Sequence, residues 1–311
     1  MIKRTLCFSN PADLSLNNEQ LVVKIQESEP RTTTIPIEDI GIVVLDHPQI
    51  SISHGALSAL VQNNAAVITC DSRHLPTGLL MPLDGNTVQS ERFADQIGAS
   101  LPLKKQLWQQ TVSQKILNQA AVLKEVTGAE VRCMLSWAKN VKSGDPDNLE
   151  GRAAAYYWGK MFEEQWTRDR EGDWPNALFN YGYAILRAIV ARALVSSGML
   201  PTLGIHHHNK YNAYCLADDI MEPYRPYVDR KVMQMLPLWP EAEEINTDMK
   251  RMLLEIPVME VKIDGKRSPL MVAVSMTTAS LYRCYSGECR KIVYPSIIDK
   301  WTDLANTESC G

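Results

Sequence analysis

Through the first ~80 residues, apolar positions either alternate with polar ones or bunch into short β-branched runs, the signature of strands. The runs are Arg4 to Phe8, Gln20 to Ile25, Thr32 to Ile35, Gly41 to Leu45, Ala66 to Cys70 and Gly78 to Met81. Turn formers separate them: Asn10-Pro11, Asn17-Asn18, Glu29-Pro30, Asp46-His47-Pro48 and Asn63-Asn64. One short helix interrupts the series, capped by Ser53 and carrying Ala56, Leu57, Leu60 and Val61 on one face. Residues 1–82 therefore read as a small β domain.

The segment from Pro82 to Asn86 breaks this pattern, and residues 83–92 read as a linker. Beyond it the period changes from two to 3.6. Trp108, Val112, Ile116 and Leu123 recur at helical spacing between Leu103 and Val126, with Gly128 placed to end the helix. Leu178, Tyr181, Ile185 and Ile189 form a stripe on a second long helix, Pro175 to Val195, with Gly198 just past its end. Asp264-Gly265, after Val261 to Ile263 and before Lys266 onward, predicts a β-hairpin near 261–270. The expected fold class is α+β: a small N-terminal β domain plus a larger, mainly helical domain over 93–302. The tail at 303–311 has few apolar anchors and is expected to be mobile.

A hydrophobic fraction of 45% and a charged fraction of 22% are ordinary for a globular protein. No stretch approaches the roughly 20 apolar residues of a membrane span, and the basic start lacks the apolar run of a signal peptide. A cytoplasmic protein without membrane contact is expected. The seven cysteines are irregularly spaced, which excludes a secreted disulfide framework. Cys284 and Cys289, the close pair, lack a second pair to complete a zinc site. A net charge of −4 does not advertise nucleic-acid binding, which local basic patches rather than overall charge decide.

Three features carry chemistry. Asp145-Pro146 starts a helix, with Asp145 as its cap, on which Glu150 aligns with Ala154, Tyr157 and Met161. A carboxylate on that apolar stripe is costly unless it binds a metal or a partner, and Arg152 or Lys160 at the helix margin would serve as partner. In His206-His207-His208 neighbouring side chains diverge, so at most one histidine serves any one metal. In Asp218-Asp219-Ile220-Met221-Glu222 the carboxylates lie one turn apart, although Asp218 suits a helix cap equally well. A mixed oxygen and nitrogen set of this kind suits Mg²⁺ or Mn²⁺ better than structural zinc. Phosphate-loop, dinucleotide-fold, serine-hydrolase and zinc-protease motifs are lacking.

Four ordered runs resemble the CRISPR-associated adaptation integrases, the Cas-one family. They are Asn148 to Trp158 (NLEGRAAAYYW), Asn176 to Ala184 (NALFNYGYA), Gly198 to His207 (GMLPTLGIHH) and Leu216 to Pro226 (LADDIMEPYRP). The β segment from Ile40 to Pro82 also fits, and the hairpin-bearing C-terminus is most similar to the form found beside RNA-guided effector nucleases of type II systems. The resemblance implies a dimerising β domain and a helical domain holding Mg²⁺ or Mn²⁺. It carries Glu150 over as first ligand, His207 as second (with His206 the alternative) and Glu222 as third, with Asp219 and then Asp218 as auxiliaries.

The implied activity is insertion of short double-stranded DNA fragments into a CRISPR repeat by 3′-hydroxyl attack on a phosphodiester. The implied partners are a second copy of the chain and a small Cas-two-family dimer, together forming a heterohexamer, and the effector nuclease, in a prokaryotic cytoplasm. Lys210, Arg225, Arg230, Lys231 and Tyr211 flank the site as candidate DNA contacts, with salt bridging to Asp229 and its neighbours as the competing role for the cations; Tyr157 is a further candidate to position DNA, and a core role suits it equally well. A stand-alone metal-dependent nuclease on branched or single-stranded DNA, and a non-catalytic DNA-binding scaffold, are the rival readings.

Overall fold

The computed structural model describes residues 3–25, 31–72, 74–162, 166–169 and 172–297; the expected tail at 303–311 lies outside them. The N-terminal part is built from eight strands: β1 (Arg4–Phe8), β2 (Ala12–Asn17), β3 (Gln20–Ile25), β4 (Arg31–Pro36), β5 (Ile40–Leu45), β6 (Ile50–Ile52), β7 (Ala66–Cys70) and β8 (Pro76–Leu80). They form two four-stranded sheets, ordered β1-β5-β7-β8 and β4-β3-β2-β6. In the first, β1, β5 and β7 run parallel and β8 returns antiparallel. Helix α1 (His54–Gln62) crosses between the sheets, capped by Ser53, whose side chain accepts from the Ala56 N–H.

Side chains alternate across a strand, and β5 and β7 use both faces. Ile40, Val43 and Val67 pack with Leu14, Leu21, Val23, Ala56 and Leu60 in a core between the sheets. Ile42, Val44, Ala66 and Ile68 face the other way and join the core of the helical part. Burial on both faces is why these two strands read as nearly continuous apolar runs. Strands β2 and β6 are not evident from the sequence because one is half polar and the other has three residues.

The helical part comprises α2 (Gln89–Gly98), α3 (Leu101–Thr127), α4 (Arg132–Asn140), α5 (Leu149–Met161), α6 (Asn176–Ser196), α7 (Cys215–Met221), α8 (Arg225–Met235), α9 (Thr247–Leu253) and α10 (Leu270–Tyr285). The expected hairpin is present as β9 (Glu260–Ile263) and β10 (Lys266–Pro269). Helix α2 begins inside the segment expected to be a linker. That segment is anchored: Asn86 Nδ2 donates to the Ser196 carbonyl, and a Cβ on Gly85 would meet Val195 at 2.5 Å.

Helix α3 is the axis of this part, 27 residues and about 40 Å long. Ser100 caps its start, and Gly128, at a φ of 70°, ends it by donating its N–H to the Lys124 carbonyl. Its buried side carries an unusual polar row, Thr111, Lys115, Asn118 and Gln119. Helix α6 lies across β7 and β8 and packs on α7, α8 and α10. Its 21 residues are long and apolar enough to cross a membrane, contrary to the expectation that no stretch approaches that length; 72% of its apolar window is buried, which makes it a core helix. Lys250 of α9 ties the two parts together, its Nζ 2.8 Å from Oδ2 of the fully buried Asp46 at the end of β5.

Candidate metal centre

Four elements of the helical part meet at one point. Helix α5 brings Glu150 in its first turn because two side chains serve the free N–H groups there. Asn148, in a left-handed conformation, caps the helix by accepting from Gly151. The expected cap, Asp145, lies outside the helix, yet its carboxylate accepts from the Leu149 and Glu150 N–H groups at 2.9 Å each. Pro223 follows the end of α7, and Glu222 begins a 3₁₀ turn (Glu222–Tyr224) leading into α8.

Glu150 and Glu222 both reach a residue the sequence reading missed. The Lys115 ammonium of α3 is 2.6 Å from Glu150 Oε1 and 2.5 Å from Glu222 Oε2. The expected marginal partners of Glu150, Arg152 and Lys160, instead sit over aromatic rings, Trp137 and Tyr156. Arg225 Nε lies 2.9 Å from the other Glu222 oxygen, an ion pair without hydrogen-bond geometry. Burial alone would lower Lys115, but the charges of Glu222 and Glu150 outweigh it and raise it above an ordinary lysine. Burial likewise works to raise Glu222, and Arg225 and Lys115 outweigh it and hold the carboxyl below its usual range.

Contrary to the expected divergence, the His206 and His207 rings stay together, edge to face with centroids 5.2 Å apart, and both meet Trp108. The His206 ring stacks on Trp108, with centroids 4.2 Å apart and planes 1° from parallel. Burial there holds its imidazole below the ordinary value. His207 meets the same Trp108 ring edge-on, centroids 5.6 Å apart, and its Nδ1 lies 2.5 Å from Asp219 Oδ1. That hydrogen bond raises His207 above its ordinary value, and both glutamates lie within electrostatic range of the ring. Asp219 is fully buried, and its Oδ2 also accepts from the N–H groups of Ile205 at 2.7 Å and His206 at 2.9 Å. The carboxylate thus fixes both the loop backbone and the ring.

Asp218 is not brought to this point, nor is it the cap of α7, whose capping position is Tyr214. Its carboxylate is held by Arg187 Nε and Asn212 Nδ2, each at 2.7 Å. The candidate DNA cations also separate. Arg225 is bound to Glu222, Arg230 lies 3.5 Å from Glu125, and Lys231 lies 2.6 Å from Glu255. Salt bridging is therefore their structural role, but not to Asp229. That buried carboxylate instead accepts from the Tyr183 hydroxyl at 2.5 Å and the Tyr157 hydroxyl at 3.1 Å. Burial pushes Asp229 up to about 7 against those bonds. Tyr157 accordingly belongs to the core. Lys210 and Tyr211 remain at the surface, the ring 85% exposed and the Lys210 ammonium 4.8 Å from its centroid.

Two cavities adjoin the point. One of about 210 Å³ is lined by Lys115, Gln119, Glu222, Arg225 and Asp229. A second of about 410 Å³ shares Arg168, Tyr183 and Arg225 with it and adds Arg187, Asn180 and Asp71. Among the described residues, no three His, Cys, Asp or Glu side chains are grouped closely enough to hold a metal ion. The donors nonetheless fit a hard divalent ion, because two carboxylate oxygens already converge on one cationic nitrogen beside an oriented imidazole.

The fold and this centre define an α+β protein whose helical domain gathers carboxylates and an imidazole beside arginine-lined cavities. The chain belongs to the CRISPR associated protein Cas1 family, which it matches over residues 6–254. It is 36% identical over 282 residues to the CRISPR-associated endonuclease Cas1 of Neisseria meningitidis serogroup C (strain 8013), covering 90% of this chain and 91% of that one. Its fold is similar to that of a casposase bound to integration product, with a TM-score of 0.77 at 18% identity over 94% of this chain and 92% of that one. A chain of a Cas6-RT-Cas1–Cas2 complex is similar over 96% of this chain and 36% of its own length, with a TM-score of 0.75 at 18% identity. At these identities the structural likenesses speak to fold alone.

Proposed function

We propose that this protein is a metal-dependent DNA endonuclease and integrase that joins short DNA fragments to a CRISPR repeat. The observation that carries the reading is the meeting of Glu150 and Glu222 at one cation, beside a His207 ring held by Asp219. The name of the Neisseria relative supports cleavage of nucleic acid, and the casposase title supports strand joining on this fold.

In the proposed reaction the 3′-hydroxyl oxygen of a fragment attacks a repeat phosphorus. A new P–O bond forms, the P–O bond to the repeat's own 3′ oxygen breaks, and that oxygen leaves with a proton. Mg²⁺ or Mn²⁺ held by Glu150, His207 and Glu222 would supply charge stabilisation at the phosphoryl oxygens. The chain's own contribution is placement. Asp219 fixes the His207 tautomer, Arg225 neutralises part of the Glu222 charge, and Arg168, which lines both cavities, offers positive charge to the DNA backbone, Arg187 and Arg225 being engaged by Asp218 and Glu222. Lys210 and the exposed Tyr211 lie on the loop that carries His207 and are placed to contact the same strand.

The working assembly is proposed to be two dimers of this chain, joined through the β domains, flanking a Cas2-type dimer; the Cas1–Cas2 complex with a similar chain supports that arrangement. The test incubates the protein and its small partner with Mn²⁺, a 3′-hydroxyl duplex and a repeat-bearing plasmid. Covalently joined product that EDTA abolishes is the expected result. Cleavage without joining would assign a stand-alone nuclease with water as nucleophile.

A further inference from the structure

Lys115 has no place in the proposed chemistry, yet it holds the point on which that chemistry depends. It projects from the middle of α3 with 8% of its surface exposed, among Thr111, Asn118 and Gln119. Its ammonium makes close contacts to Glu150 and Glu222 and to no other carboxylate that the structure pairs with it. We propose that Lys115 is a resident counter-cation that holds the two glutamates together and that a divalent ion must displace to bind, so that this one side chain sets the metal affinity of the site. This rests on the metal-dependent reading above.

Glu150 comes from the start of α5 and Glu222 from the turn before α8, 72 positions later in the chain. Two carboxylates converging in a buried place repel unless positive charge lies between them. Arg225 answers only one oxygen of Glu222, so Lys115 is the cation common to both acids. A hard divalent ion needs the same oxygens at about 2.0–2.1 Å. The ammonium meets them at 2.5 and 2.6 Å, so ion and ammonium cannot share the point. The side chain has somewhere to go. The cavity of about 210 Å³ that Lys115 lines runs past Arg225 and Arg168 toward the arginine-lined cavity, where a displaced ammonium would face phosphate.

Lys115 is thus a positioning residue, and its signature is a trade between stability and metal affinity. The test measures Mn²⁺ binding by calorimetry and unfolding temperature with EDTA or Mn²⁺, for wild type, Lys115→Met and Lys115→Gln. Both variants are expected to bind Mn²⁺ at least ~10-fold more tightly, because a competing charge is removed. Both should unfold at lower temperature in EDTA and recover more of that loss on adding Mn²⁺ than wild type gains. A variant that folds only with Mn²⁺ supports the proposal equally. Unchanged or weaker Mn²⁺ binding by folded variants overturns it while leaving the metal reading intact. Absence of Mn²⁺ binding in all three proteins overturns both.

Discussion

The Nδ1 of His207 stands 2.5 Å from Oδ1 of Asp219, a carboxylate that is itself fully buried and pinned by three backbone N–H groups. A carboxylate only accepts hydrogen bonds, so the ring nitrogen it meets carries the proton and Nε2 is left as the donor atom for a metal. The ring is 45% exposed and open to a ligand. In the proposed metal site Asp219 thus acts through His207, and its loss should weaken metal binding without removing a proposed ligand.

Replacing Asp219 by Asn is expected to weaken Mn²⁺ binding about 10- to 100-fold, the usual cost of losing a partner that orients a ligand. The same change should lower stability, since three N–H groups lose a charged acceptor. Calorimetric Mn²⁺ titration and urea unfolding read the two effects separately. Unaltered Mn²⁺ binding would mean that His207 is not held for a metal.

The surface cations should sort by their partners. Arg230 and Lys231 are engaged by Glu125 and Glu255, whereas Lys210 sits over the exposed Tyr211 ring. Lys210→Ala is expected to weaken binding to a DNA duplex and to reduce the salt dependence of that binding by about one ion. Arg230→Ala and Lys231→Ala should change it far less. Filter binding across a salt series checks the order, and a larger effect at Arg230 than at Lys210 would reverse the assignment.

Asp229 should leave a mark on the pH dependence of stability. Burial lifts its carboxyl from 3.8 to about 7, so the folded chain holds that proton more tightly than the unfolded one. The stability this contributes is fully present below pH 3.8 and is lost as pH rises to about 7. Asn at this position keeps an oxygen acceptor for one of the Tyr157 and Tyr183 hydroxyls, places an amide donor against the other, and does not titrate. Urea unfolding at several pH values should therefore show Asp229→Asn gaining on wild type across that window and holding level above it. A constant difference would show that Asp229 stays ionised in the fold.

The pattern of the chain makes some of this structure legible and conceals the rest for physical reasons. Strands β5 and β7 stand out because burial on both faces leaves them almost wholly apolar. The caps Ser53 and Gly128 announce their helices through local chemistry that needs no tertiary context. The family motifs name Glu150, His207 and Glu222, and the fold does bring the two glutamates to one point. Lys115 is hidden because a lysine among helical positions reads as solvated surface; its partners are 35 and 107 residues away. Its one local signal is position, seven residues after Trp108 and three after Val112 on the buried stripe of α3. Arg225 misleads for the converse reason. Beside a candidate site it reads as a DNA contact, and only the turn after α7 shows that it serves Glu222.

The central claim is that Glu150, His207 and Glu222 form one metal-dependent strand-joining site. Its most direct test compares wild type with Glu150→Gln, His207→Ala and Glu222→Gln for joining of a labelled 3′-hydroxyl duplex to a repeat-bearing plasmid, across a Mn²⁺ titration and with the small partner present. The account predicts joined product from wild type alone, dependent on Mn²⁺, with each variant folded and at least ~100-fold slower, a loss of about 2.7 kcal/mol of transition-state stabilisation. Joining by all four proteins at similar rates, or joining that persists in EDTA, would contradict it.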